Sequence, residues 1–177
     1  LHKVSKTIIS QYAASPILNA LIGAWNSALD PSSFVEGFFT NYWNLNTAFG
    51  PGLDNWGNIL GVRRAVVIPG TSGAAYQMTD AVYRPVLFAK ALANISRASS
   101  LALNAIAQMA LGAGVMYTAD LGNMQMAYVF AAAATALQQG IAQNSGVLPQ
   151  PQGVAVSYYT ALLSNAQLIA AGATDIG

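Results

Sequence analysis

From Leu121 to Thr174 the chain contains no Asp, Glu, Lys, Arg or His. So long an uncharged stretch denies the last third an ordinary solvated surface and leaves Ala, Gly, Ser, Asn, Gln and apolar groups to cover it. Charged residues make up 7% of the 177 residues, against roughly 25% in a typical soluble domain. A formal net charge of +1 gives little repulsion between copies, and sparse charge beside abundant apolar surface favours association. The sequence therefore reads first as a subunit of a larger assembly.

Several partner classes fall away on composition. Phosphate binding needs Lys and Arg grouped on one face, and among the seven basic residues only Arg63-Arg64 are adjacent, so nucleic acid is not expected. With no cysteine there is no disulfide framework, thiolate metal site or cysteine nucleophile. A chain beginning at Leu1 is read as lacking its native start, which leaves a removed signal untraceable. A membrane span needs about 20 mostly apolar residues. The uncharged stretch is interrupted by Gly122-Asn123, Gln138-Gln139-Gly140, Gln143-Asn144-Ser145-Gly146 and Pro149-Gln150-Pro151-Gln152-Gly153, and residues 98–119 carry Ser99, Ser100, Asn104, Gln108, Gly112 and Gly114.

The pattern of elements points to an α+β chain. Ser15-Pro16 has the form of an N-cap followed by proline at the first helical position. Ile17, Leu18, Leu21, Ile22, Trp25 and Leu29 then recur at helical spacing, a stripe that must face a core or a partner helix. Asp30-Pro31 stops that helix. Residues 33–43 place Phe34, Phe38, Phe39, Tyr42 and Trp43 on a broad aromatic face, and Gly50-Pro51-Gly52 turns into a short helix over 53–60 closed by Gly61. The N-terminal cluster of short helices (1–61) is followed by a loop-like segment (62–78) with a short strand at Arg63 to Ile68. A helical pair (79–113) comes next, its members running from Thr79 or Asp80 to about Ser96 and from Ser99 to Leu111. Over 114–160 the period changes to two, and a hairpin with its turn at Asp120-Leu121-Gly122-Asn123, a helix from Ala131 to Gln143 and a strand at Val154, Val156 and Tyr158 predict a β-β-α-β unit on a small antiparallel sheet. The Ala-rich tail (161–177) reads as a loose helix or a segment that reaches a neighbour.

Candidates for chemistry are few. The single histidine, His2, is close to the terminus, which removes most Ser-His-acid, His-metal and general-base schemes. Gly70-Thr71-Ser72-Gly73 lacks nucleophile-elbow spacing, and Gly112-Ala113-Gly114 precedes a strand, so neither has the strand-turn-helix context of a phosphate loop or elbow. Asn94-Ile95-Ser96 matches a glycosylation acceptor in form but lies within a helix. The carboxylates read as structural: Asp30 and Asp80 as caps, Asp54 in a first helical turn favoured by the dipole, Asp120 in the hairpin turn. Trp25, Trp43 and Trp56 suggest a sugar-binding surface at first sight, yet their helical spacing favours packing between helices. Arg63 and Arg64 read as solvated, or as partners for carboxylates on another protein. No catalytic, cofactor or metal residue is expected, and the partner-interface candidates are Ile17, Leu18, Leu21, Ile22, Trp25, Leu29, Arg63 and Arg64.

Five phrases taken in order resemble a known family. They are Thr7-Ile8-Ile9-Ser10-Gln11-Tyr12 with Ser15-Pro16; Trp43-Asn44-Leu45-Asn46-Thr47-Ala48-Phe49-Gly50; Leu53-Asp54-Asn55-Trp56-Gly57-Asn58-Ile59-Leu60-Gly61-Val62-Arg63; Ala91-Leu92-Ala93-Asn94-Ile95-Ser96; and Gly146-Val147-Leu148-Pro149-Gln150-Pro151-Gln152-Gly153-Val154. Their order and spacing, from Thr7 to about Tyr158, are similar to a family of bacteriophage tail proteins encoded beside the J-type baseplate wedge protein of contractile tails. The resemblance implies a small baseplate wedge subunit of the virion, assembled in the host cytoplasm. It implies that one such subunit joins two J-type copies in a heterotrimer with a helical bundle and a three-way junction, with hub, sheath-initiator and fibre proteins as further neighbours. It brings no catalytic residue. The 66–78 loop and the tail after Thr160 depart from the pattern. Two other readings are a membrane-active or tail-tip protein of a non-contractile particle, and a small carbohydrate-acting enzyme using two carboxylates such as Asp54 and Asp120.

Overall fold

The computed structural model describes residues 8–71 and 73–160, so the expectation for the 161–177 tail lies outside the described residues. The chain is α+β. After a 3-10 turn at Ser10–Tyr12, α1 (Pro16–Ala28) starts as its sequence dictates: Ser15 is extended, its hydroxyl accepts from the Leu18 N–H, and Pro16 occupies the first turn. Asp30 ends the helix by accepting from the Ser32 N–H and hydroxyl, and α2 (Ser32–Phe38) runs on into a π-helical turn at Phe39–Trp43. Helix α3 (Pro51–Leu60) has Pro51 in its first turn and closes on Gly61 in the left-handed region.

The 62–78 segment is more ordered than its composition suggests. Strands β1 (Ala65–Val67) and β2 (Ala75–Gln77) form a small antiparallel hairpin around the Pro69-Gly70 turn. Helices α4 (Asp80–Ile95, with Pro85 inside) and α5 (Ser100–Leu111) follow. Ser99 caps α5 by accepting from the Ala102 N–H. Thr79 takes the N-cap position of α4 without a side-chain bond, and Asp80 does not cap that helix: its carboxylate turns to Gly50 and Arg64.

The C-terminal unit has the expected β-β-α-β order, with three corrections. The hairpin of β3 (Met116–Gly122) and β4 (Gln125–Phe130) turns at Asn123 and Met124, both at positive φ, and not at Asp120 to Asn123. Two successive left-handed residues make the tight turn that matches strand twist, while Asp120 sits inside β3 and accepts from the Gly122 N–H beside a register shift. Helix α6 is Ala136–Asn144, not Ala131 to Gln143. Thr135 and Gln138 form a reciprocal capping box, and this cap fixes the start more strongly than the propensity of the preceding alanines. The sheet is mixed. β5 (Ala155–Thr160) pairs with β4 in parallel, because the connection from Ala131 to Val154 carries α6 and returns the chain to the same end.

The main core lies between the helices and one face of the β3-β4-β5 sheet. Tyr83, Val86 and Leu87 of α4, Leu103 and Ile106 of α5, Ile141 of α6, and Tyr128 and Phe130 of β4 are buried together. Ala119, Leu121, Ala127 and Val129 make a smaller cluster of alternate residues, so the central strand β4 is apolar on both sides. Tyr128 donates to the Pro149 carbonyl at 2.8 Å and stacks on Tyr158, and burial pushes both phenol pKa values up. Its hydroxyl thus remains a neutral donor inside the core.

Candidate functional site

Residues 8–47 contain no buried residue; the first is Ala48. The 3-10 turn, α1, α2 and the π turn therefore form an arm that buries nothing fully, while residues 50–160 form a body with a core of its own. The apolar content of this arm is high. Ile17 is 82% exposed, Trp25 64%, Leu29 73% and Phe34 75%, and Leu21, Val35, Phe38, Phe39 and Trp43 are exposed too. Leu18 and Ile22 are half-buried. Of the partner-interface candidates on α1, Leu21, Ile22, Trp25 and Leu29 enclose, with Asn26, an almost wholly apolar concavity of about 260 Å³.

The root of the arm is packed more closely. Phe38 and Tyr42 stack with centroids 5.6 Å apart, and Trp43 lies 5.8 Å from Trp56 of α3, whose indole N–H donates to the Trp43 carbonyl. Gly52 permits this approach: a Cβ there would stand 2.5 Å from the Asn41 carbonyl oxygen and 2.8 Å from the Tyr42 Cα. Among the described residues the expectation that the tryptophans pack between helices is met by this pair, while Trp25 is largely exposed.

The two arginines separate. Arg63 is exposed. Arg64 is not solvated; its guanidinium pairs with Asp54 of α3 and Asp80 of α4, donates to the Met78 and Gly50 carbonyls, and lies 4.6 Å from the Tyr83 ring centroid. The Gly50 N–H donates to the other Asp80 oxygen at 2.9 Å. Donation from Gly50, then from Arg64, holds the Asp80 carboxyl below the usual carboxylate range. Arg84 reaches the same junction, donating from Nη2 to the Ala48 carbonyl at 2.6 Å. No spacing rule links positions 54, 64 and 80, and only the fold brings them together.

Asp54 and Asp120 line different concavities, so they do not face each other across one cleft. Among the described residues no group of three or more His, Cys, Asp or Glu is placed to hold a metal, and no helix is long and apolar enough to cross a membrane. A groove of about 650 Å³ runs along α4 beside Arg84, Pro85, Phe88, Leu92 and Met109. It extends the exposed apolar surface onto the body.

The sequence pattern of the family described as bacteriophage baseplate wedge 1 protein matches residues 4–74 and residues 69–158. Together these stretches take in the arm and the body to the middle of β5. No curated protein matches the chain.

Proposed function

Since the chain belongs to the bacteriophage baseplate wedge 1 protein family and is thereby a structural component of the phage baseplate, we propose that it is the small wedge subunit that joins J-type wedge proteins. One subunit joins two J-type copies, and the wedge so formed links hub, sheath and fibres in the virion after assembly in the host cytoplasm. The observation that carries this reading is the arm without a buried residue. Burying one Leu, Ile or Phe side chain contributes about 1.5–3 kcal/mol, and an exposed apolar face of this extent marks a protein-interaction surface. Aromatic side chains dominate such contacts, and the arm offers Trp25, Phe34, Phe38, Phe39 and Trp43.

In this reading the helices within residues 1–61 pack against partner helices through Ile17, Leu18, Leu21, Ile22, Trp25 and Leu29. Arg63, exposed at the body's edge, meets a partner carboxylate. The unit over 114–160 forms the junction between copies. The chain performs no chemistry; it transmits the rearrangement of the wedge when fibres engage the host. Recovery of the tagged chain from infected cells by mild lysis tests this. The expected result is a J-type protein in about twofold excess, in line with the large apolar interfaces of obligate partners, in tail-like particles. Recovery as a lone monomer or in the membrane fraction would contradict it.

A further inference from the structure

The arm and the body meet at Gly50, and both backbone polar groups of that residue are held by one ion pair. Its N–H donates to Asp80 at 2.9 Å and its carbonyl accepts from Arg64 Nη2 at 3.1 Å, while Arg64 Nη1 bonds the second Asp80 oxygen. Gly50 itself has φ 47° and ψ −118°, a region that side-chain-bearing residues rarely adopt, and no atom crowds the position where a Cβ would stand. Hydrogen bonds hold this conformation: those of Arg64 and Asp80, and the first bond of α3, from the Asp54 N–H to the Gly50 carbonyl at 3.1 Å. Arg64 is anchored from every side it presents: Asp54 on α3, the Met78 carbonyl after β2, and the Tyr83 ring on α4, whose hydroxyl is fixed by the Val62 carbonyl at 2.7 Å.

We propose that Arg64 and Asp80 form a latch on the Gly50 backbone that sets the angle at which the helical arm leaves the body. Arg64 and Asp80 are positioning residues here. The arm touches the body only through its root, where Trp43 meets Trp56 and Leu45 packs at the edge of the core, so the direction of α1 and α2 rests on that root and on the joint that follows it. A planar guanidinium can hold Asp54, Asp80, Met78 and Gly50 at once, which a lysine ammonium cannot do in one geometry. Releasing the latch lets the arm swing while α4, α5 and the sheet stay folded. The proposal concerns the chain's own joint and is independent of which protein covers the arm.

The test uses the full chain, which has no cysteine, so that Ser33→Cys on α2 and Gln108→Cys on α5, both exposed, are the only spin-label sites. The unaltered joint gives one narrow distance distribution, and Arg64→Lys and Asp80→Asn each broaden it. In unlabelled Asp80→Asn, which loses the charged acceptor of the Gly50 N–H, exchange of the Gly50 amide accelerates at least about tenfold, the factor that losing one hydrogen bond to a charged group implies, while amides of Ala127 and Val129 in β4 keep their protection. A broad distribution with Arg64 and Asp80 intact would overturn the latch, whatever the variants do. So would a narrow distribution that neither variant changes, or loss of protection in β4 as large as at Gly50 in Asp80→Asn.

Discussion

Asp80 stands in a first helical turn, where a carboxylate is ordinarily a helix-dipole partner, yet its bonds go to Gly50 and Arg64 of other segments. Because its folded pKa lies below the unfolded value, the stability it contributes is fully present above the ordinary carboxylate pKa. That stability is lost as pH falls through the folded pKa. The stability difference between the wild type and Asp80→Asn should therefore stay constant from about pH 5 to 8 and shrink below about pH 4, as read by denaturant unfolding across pH. Gly57 makes a second prediction at this scale. A Cβ there would stand 1.7 Å from the Tyr83 hydroxyl and 2.7 Å from the Val62 carbonyl oxygen, so Gly57→Ala must displace a buried tyrosine and its hydrogen bond. A loss of about 1–3 kcal/mol, the usual cost of overpacking, should appear as a lower unfolding midpoint. Residue-level reading of the sequence succeeded where the signal was local, at Ser15-Pro16 and Gly61. It failed at Arg64 because each partner comes from a different element.

Among the elements, α1 and α6 show opposite limits of what a sequence discloses. The stripe and caps of α1 define its bounds, but a stripe does not say whose core it enters, and here it enters none among the described residues. Leu21→Ser combined with Trp25→Ser should accordingly leave the free chain's stability within about 0.5 kcal/mol, measured by chemical unfolding. The same change should weaken capture by the wedge partner by about 2 kcal/mol or more, roughly thirtyfold, as hot-spot loss does. Helix α6 starts at its capping box and not at the alanines before it. The direction of β5 was illegible because strand polarity depends on the path of the whole connection, not on alternation within the strand. The π turn yields a separate test. Gly52→Ala forces the Asn41 and Tyr42 backbone away from α3, and the Trp43–Trp56 contact should open, visible as a change in the near-ultraviolet circular dichroism of the tryptophans.

At the scale of the molecule, the body has a core and the arm does not. The scarcity of charge was the earliest sign of this, since a chain with 7% charged residues is suited to having much of its surface covered. Composition announces that surface is covered; it does not say which surface, and the division between arm and body emerges only from burial. The family match, the exposed aromatic arm and the uncharged stretch converge on a protein completed by its neighbours in the baseplate. Side-chain oxidation by hydroxyl radicals, compared between the free chain and assembled particles, tests that most directly. Trp25, Phe34 and Trp43 should be readily modified in the free chain and strongly protected in the particle, with Tyr83 and Tyr128 of the core protected in both. Equal modification of the three arm residues in the two states would contradict the account.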